Sequence, residues 1–110
     1  KSITIGGKVV AGADRISFIL DDDRTIGQTF IKSAVDIQGT HCRCDVHKNG
    51  TTIYTTQANR PTIDVGGSTA SATPDVTAGS QHDVISIDFD VAPTNGTLAG
   101  GDFYWIQVLT

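Results

Sequence analysis

Side chains able to do chemistry gather at a few places in the sequence. Ser80, His82 and Asp83 have the residue types of a nucleophilic triad. On a single strand, neighbours point to opposite faces, so these three cannot converge as nucleophile, base and orienting acid. Asp88 and Asp90 stand two apart in an alternating run, which puts both carboxylates on one face roughly 7 Å apart, near the separation of paired glycosidase carboxylates. Outward Asp at alternate positions of a solvated sheet face accounts for them without catalysis. Asp21–Asp23 line up carboxylates ahead of Arg24. An EF-hand loop needs a longer spaced ligand set, a Gly and a closing Glu, which are absent, so a solvated loop is expected.

Cys42 and Cys44 are strand neighbours two apart, with Cα atoms roughly 6.5–7 Å apart and parallel side chains, poor geometry for a mutual disulfide. They read as buried thiols acting as small hydrophobes. His41 and His47 point to the opposite face and lie about 20 Å apart on an extended strand, which argues against a joint Cys/His zinc site. No phosphate-cradling glycine motif precedes a helix. Asn49-Gly50-Thr51 and Asn95-Gly96-Thr97 match glycosylation sequons but read as turns. The chemistry-bearing residues therefore predict no catalytic residue, no cofactor and no metal.

The elements that would position these residues are strands. Every acidic residue is Asp, and Glu and Met are absent, while Thr, Val, Ile and Gly are plentiful; that balance disfavours helices. The 110 residues suit a single domain, residues 1–110. A net charge of −4 and a pI near 5.0, with Lys and Arg scattered, predict no nucleic-acid partner. No apolar run approaches the roughly 20 residues that span a bilayer, so no membrane segment is expected. The chain begins at Lys1 without Met, as a processed product or a piece of something longer would.

Ser2–Ile5 alternates and is closed by Gly6-Gly7. Ile16, Phe18 and Leu20 alternate with Arg15, Ser17 and Ile19 as a strand with one buried face. Thr29–Gly39 is a mixed run with a break near Ser33-Ala34, where a short helix has little support. Cys42, Cys44 and Val46 share one strand face. Asn49-Gly50 is the strongest short hairpin signal, because a type I′ turn needs positive φ at both central residues. That register sets Val46 opposite Ile53 and Cys44 opposite Thr55, in agreement with the hydrophobic pattern. Pro61 breaks the pattern. A polar connection follows, with short extended pieces at Ile63–Val65 and Asp75–Thr77. Then Ile85, Ile87, Phe89 and Val91 point one way and Ser86, Asp88 and Asp90 the other. A loop with Asn95-Gly96 leads to the last strand. This strand is apolar on both faces: Phe103, Trp105 and Leu109 on one, Tyr104, Ile106 and Val108 on the other. About eight short strands with Gly, Pro and Asn punctuation predict an all-β fold, an antiparallel β-sandwich of jelly-roll type.

The stretch "DVHKNGTTIYTTQANRPTI", Asp45–Ile63, resembles a small β-domain found in tailed-bacteriophage virion proteins. The other parts of that pattern follow in order: a Gly/Ser/Thr-rich stretch (Gly66–Ala72), "TPDVT" (Thr73–Thr77), an alternating strand with outward Asp (Asp83–Val91), a glycine loop (Gly96–Gly101) and a last strand (Phe103–Thr110). The match runs from about Gly39 to the C-terminus, and the middle motif is its specific part. The family carries aliphatic residues where Cys42 and Cys44 stand, in keeping with core thiols. The resemblance implies a non-enzymatic structural domain on the outer surface of a phage particle, as a capsid decoration (cement) protein or a tail or fibre component.

Two functions compete. In the first, the domain assembles with copies of itself or with capsid or tail proteins. A small sandwich buries only one face of its last strand, so the other needs a partner. As an edge strand with few charges it would also invite pairing, and a symmetric homo-oligomer such as a trimer would follow. Tyr104 and Trp105 are the contact candidates, with Asn59, Arg60 and Pro61 as a second surface on which Arg60 meets a neighbour's carboxylate or bonds within its own loop. In the second, a carbohydrate-binding or host-recognition module stacks a glycan on Tyr54, Tyr104 and Trp105, with Asp88 or Asp90 as polar partners.

Overall fold

The computed structural model describes residues 3–9, 15–91 and 103–110. Its strands are β1 (Ile3–Val9), β2 (Arg15–Ile19), β3 (Arg24–Ser33), β4 (Cys42–Lys48), β5 (Thr51–Thr52), β6 (Thr62–Ile63), β7 (Thr69–Ala72), β8 (Ala78–Gly79), β9 (Val84–Val91) and β10 (Phe103–Leu109). A 3₁₀ turn, Gln57–Asn59, separates β5 from β6. The loop around Asn95-Gly96, with its sequon, lies outside the described residues.

Two antiparallel sheets pack face to face. One runs β1-β10-β3-β7, with β8 also on β3; the other runs β2-β9-β4-β5, with β6 also on β4. Taking β5 with β6 and β7 with β8 as interrupted strands leaves eight. They change sheets in the interleaved order of a jelly-roll-like sandwich, β10 returning between β1 and β3 and β9 between β2 and β4. The all-β sandwich read from the sequence is the fold observed.

Alternation sends Ile85 and Ile87 of β9, Cys42, Cys44 and Val46 of β4, Ile26 and Ile31 of β3 and Phe103, Trp105 and Leu109 of β10 into one shared core. Phe18 lies 5.5 Å from Trp105 and Phe89 4.9 Å from Phe103, ring centre to ring centre, so aromatic contacts tie the two sheets together.

Several sequence expectations need correction. Gly6-Gly7 does not close the first strand; β1 runs on through both, paired to Ile106 and Trp105. β3 starts at Arg24, five residues earlier than Thr29, because the acidic loop ahead of it is short. β7 was hidden in the polar connection, since Thr69–Ala72 has no large apolar residue and its pairing with β3 alone makes it a strand. Asn49 (φ 53°) and Gly50 (φ 84°) form the expected turn with both φ values positive, and Ile53 N–H donates to Val46 at 2.9 Å. Cys44 does not face Thr55. The Thr52 hydroxyl accepts from Tyr54 N–H and turns the chain inward, and β6 takes over the pairing, Arg43 with Thr62 and Cys42 with Ile63.

Candidate functional site

Three of the five residues marked for contact, Tyr54, Trp105 and Arg60, are committed within the molecule. Tyr54 is fully buried and Trp105 is 5% exposed. Both are hydrogen-bond donors in one interior network. Tyr54 O–H donates to Thr29 Oγ1 (2.7 Å), Thr29 O–H donates to Gln107 Oε1 (2.8 Å), and Trp105 Nε1–H donates to the same oxygen (3.3 Å). The Gln107 amide donates in turn to the Gly27 carbonyl (2.8 Å). A register shift between Gln107 and Leu109 sits opposite this point. A Cβ at Gly27 would come within 3.3 Å of the Val108 carbonyl oxygen, a tight contact at this point. Burial pushes the Tyr54 phenol up to about 12. Tyr54 and Trp105 are therefore core residues and do not form a surface platform with Tyr104.

Arg60 donates from Nε to the Gln57 carbonyl at 2.8 Å and pairs with Asp90 of β9. Of its two expected contacts, the bond within its own loop is formed, and the carboxylate it pairs with is Asp90 of its own chain. Asn59 is exposed. With Arg43, Asp64, Ser71 and Thr73 it lines an open polar groove of about 610 Å³ where the edges of the two sheets meet.

The other chemical groupings resolve as structure. Ser80, His82 and Asp83 lie in the turn before β9, not on a strand. There the Asp83 carboxylate accepts from Ser80 N–H and from the Asn49 amide, both at 2.9 Å, and these bonds hold it below the usual carboxylate range. Asp21 is likewise lowered by its two bonds from Arg24. Asp88 faces Asp45 across the β4–β9 pair, with the His47 ring 3.7 Å from Asp45 and 3.8 Å from Asp88. Both cysteines are buried and free. Contact with the Cys42 thiol, together with burial, holds the Cys44 thiol well above its ordinary value. Among the described residues no three His, Cys or Asp side chains are placed to hold a metal ion.

The remaining candidate, Tyr104, belongs to an open apolar face. Along β10 the side chains alternate: Phe103, Trp105, Gln107 and Leu109 are buried, while Tyr104 is 36% and Ile106 42% exposed. Across the sheet, Ser71, Phe30, Ile106 and Gly6 fall in one register row. Phe30 is 38% exposed, and Gly6 has no side chain to cover Ile106. The next row is Thr69, Lys32, Tyr104 and Lys8. No strand of this sheet contains a carboxylate. β10 is not an edge, since it is paired on both sides; what it offers is a face. Lone exposed apolar residues are ordinary on any surface, but Phe30, Tyr104 and Ile106 are contiguous.

Fold and site together define a β-sandwich with a contiguous apolar patch, Phe30, Tyr104 and Ile106, uncovered on one of its sheets. No family model matches the sequence, and neither does any curated protein. Solved structures share the fold. The core of Drosophila NLP, a protein that forms pentamers and binds histone, aligns over 100% of this chain and 99% of its own at 11% identity and TM-score 0.57. A CBM36 domain of a multidomain xylanase from the hindgut metagenome of Trinervitermes trinervoides aligns over 99% and 95% at 14% identity and TM-score 0.53. A CBM36 carbohydrate-binding module in complex with calcium and xylotriose aligns over 100% and 98% at 12% identity and TM-score 0.50. At such identities the likeness is one of fold.

Proposed function

We propose that this chain is a non-enzymatic structural component of a tailed-bacteriophage virion, displayed on the particle's outer surface and acting through protein–protein assembly contacts. The observation that carries the assembly reading is the face of Phe30, Tyr104 and Ile106, left 36–42% exposed by its own chain. An apolar centre with Lys32 in the neighbouring register row has the anatomy of an interface. The virion assignment rests on the resemblance of Asp45–Ile63 and the segments after it to phage virion domains. Light scattering tests assembly: the chain is expected to form an oligomer, and Ile106→Asp to leave a folded species of lower mass. A chain that stays monomeric at all concentrations contradicts the proposal.

The second reading, carbohydrate binding, is favoured by the open polar groove beside Asn59 rather than by aromatic residues. If it holds, wild type binds members of a glycan array and Asn59→Ala with Asp64→Ala abolishes that binding while Ile106→Asp does not.

A further inference from the structure

The two broad faces of the sandwich are unlike in a way that fits one to the other. The β1-β10-β3-β7 face is apolar at its centre, carries Lys32, and has no carboxylate on its strands. The outer face of the other sheet also has an uncovered apolar pair. Ile19 (62% exposed) and Val84 (39% exposed) stand opposite each other in the β2–β9 register. Carboxylates surround that pair. Asp21–Asp23 follow β2 after Leu20, with Asp21 already paired to Arg24; Asp83 precedes Val84, and Asp23 accepts from Gln81 N–H at 2.9 Å, which holds the acidic loop against the turn before β9. Asp45 and Asp88 further along the sheet do not add to this patch, since Asp45 is buried and His47 lies 3.7 Å from Asp45 and 3.8 Å from Asp88.

We propose that the occupant of the Phe30–Tyr104–Ile106 face is a second copy of this chain, bound head to tail through its Ile19–Val84 patch. This rests on the assembly reading above and specifies its partner. Two copies meeting through the same lysine-bearing face would oppose like charges, whereas head-to-tail contact pairs Lys32 with carboxylates and apolar centre with apolar centre. A heterologous contact of this kind repeats, closing into a ring or extending as a stack according to the rotation at each step.

The test uses two variants, Ile106→Asp and Ile19→Asp, each checked for native circular dichroism and thermal melting, with Tyr104→Asp and Val84→Asp as replacements should either misfold. Each blocks one half of the contact, so each alone is expected to be monomeric by light scattering, with self-affinity weakened at least tenfold. Mixed in equal amounts they are expected to form a heterodimer and nothing larger, because each retains the half that the other lacks. Added salt is expected to loosen that heterodimer. If Ile19→Asp keeps the wild-type mass while Ile106→Asp is monomeric, the apolar face pairs with itself or elsewhere and the head-to-tail contact is overturned. If wild type never associates, the assembly reading itself fails.

Discussion

At the scale of single residues, the motif reads as a set of internal ties. Thr52 O–H donates to Asp45 (2.6 Å), Gln57 reaches the Tyr54 carbonyl (2.6 Å), Asp75 accepts from Thr56 N–H (2.8 Å), and Lys48 reaches the Ala78 carbonyl (2.8 Å). Their chemistry is spent on fixing the chain. Tyr54→Phe removes a buried donor from Thr29 and should cost about 1–2 kcal/mol, or a melting temperature lower by roughly 4–16 °C. Titration gives a second readout. The folded chain holds the Tyr54 proton up to about 12 against an ordinary value of 10.0. Between those values the unfolded chain binds fewer protons than the folded one, so stability should fall as pH rises through that window. Tyr54→Phe should flatten this part of the alkaline profile measured by denaturant unfolding. Cys42 and Cys44 should resist a thiol reagent in the native state and react once unfolded, since both are buried and out of the reagent's reach. The sequence showed these thiols as core residues, but not the fate of Tyr54 and Trp105. The available signal was Gln107, a polar residue at an inward position between Trp105 and Leu109, which needs buried partners and so marks an interior network.

At the scale of elements, the Asn49-Gly50 turn and the alternating strands were legible because each is written in local residue types. Its side chains also anchor the turn to β9: the Asn49 amide donates to Asp83, and its oxygen accepts from Val84 N–H, both at 2.9 Å. Asn49→Ala must hold a positive φ without that amide and should lose roughly 2–3 kcal/mol of stability by denaturant unfolding. The short β5 and the takeover by β6 were not legible, because a side chain turning inward at Thr52–Tyr54 decides them. Nor was β7, whose strand character comes only from its partner. Arg60 and Asp90 join the 3₁₀ turn to β9 with side chains 17% and 29% exposed. A double-mutant cycle on that pair should return about 0.5 kcal/mol of coupling, small because solvent screens it.

At the scale of the whole molecule, two faces matter. The sequence showed that β10 was apolar on both sides, and the structure shows which side its own chain covers. It did not show that β10 lies inside its sheet, since strand order is set by pairings far apart along the chain. An interior strand gives no free ladder to a partner, so association must run through side chains, and this makes Phe30, Tyr104 and Ile106 the residues to watch. Hydroxyl-radical footprinting of the assembled chain, against monomeric Ile106→Asp, measures their coverage directly. Protection of Phe30 and Tyr104 in the assembly, with full labelling of both in the monomer, is the predicted result; equal labelling in the two states would contradict the account.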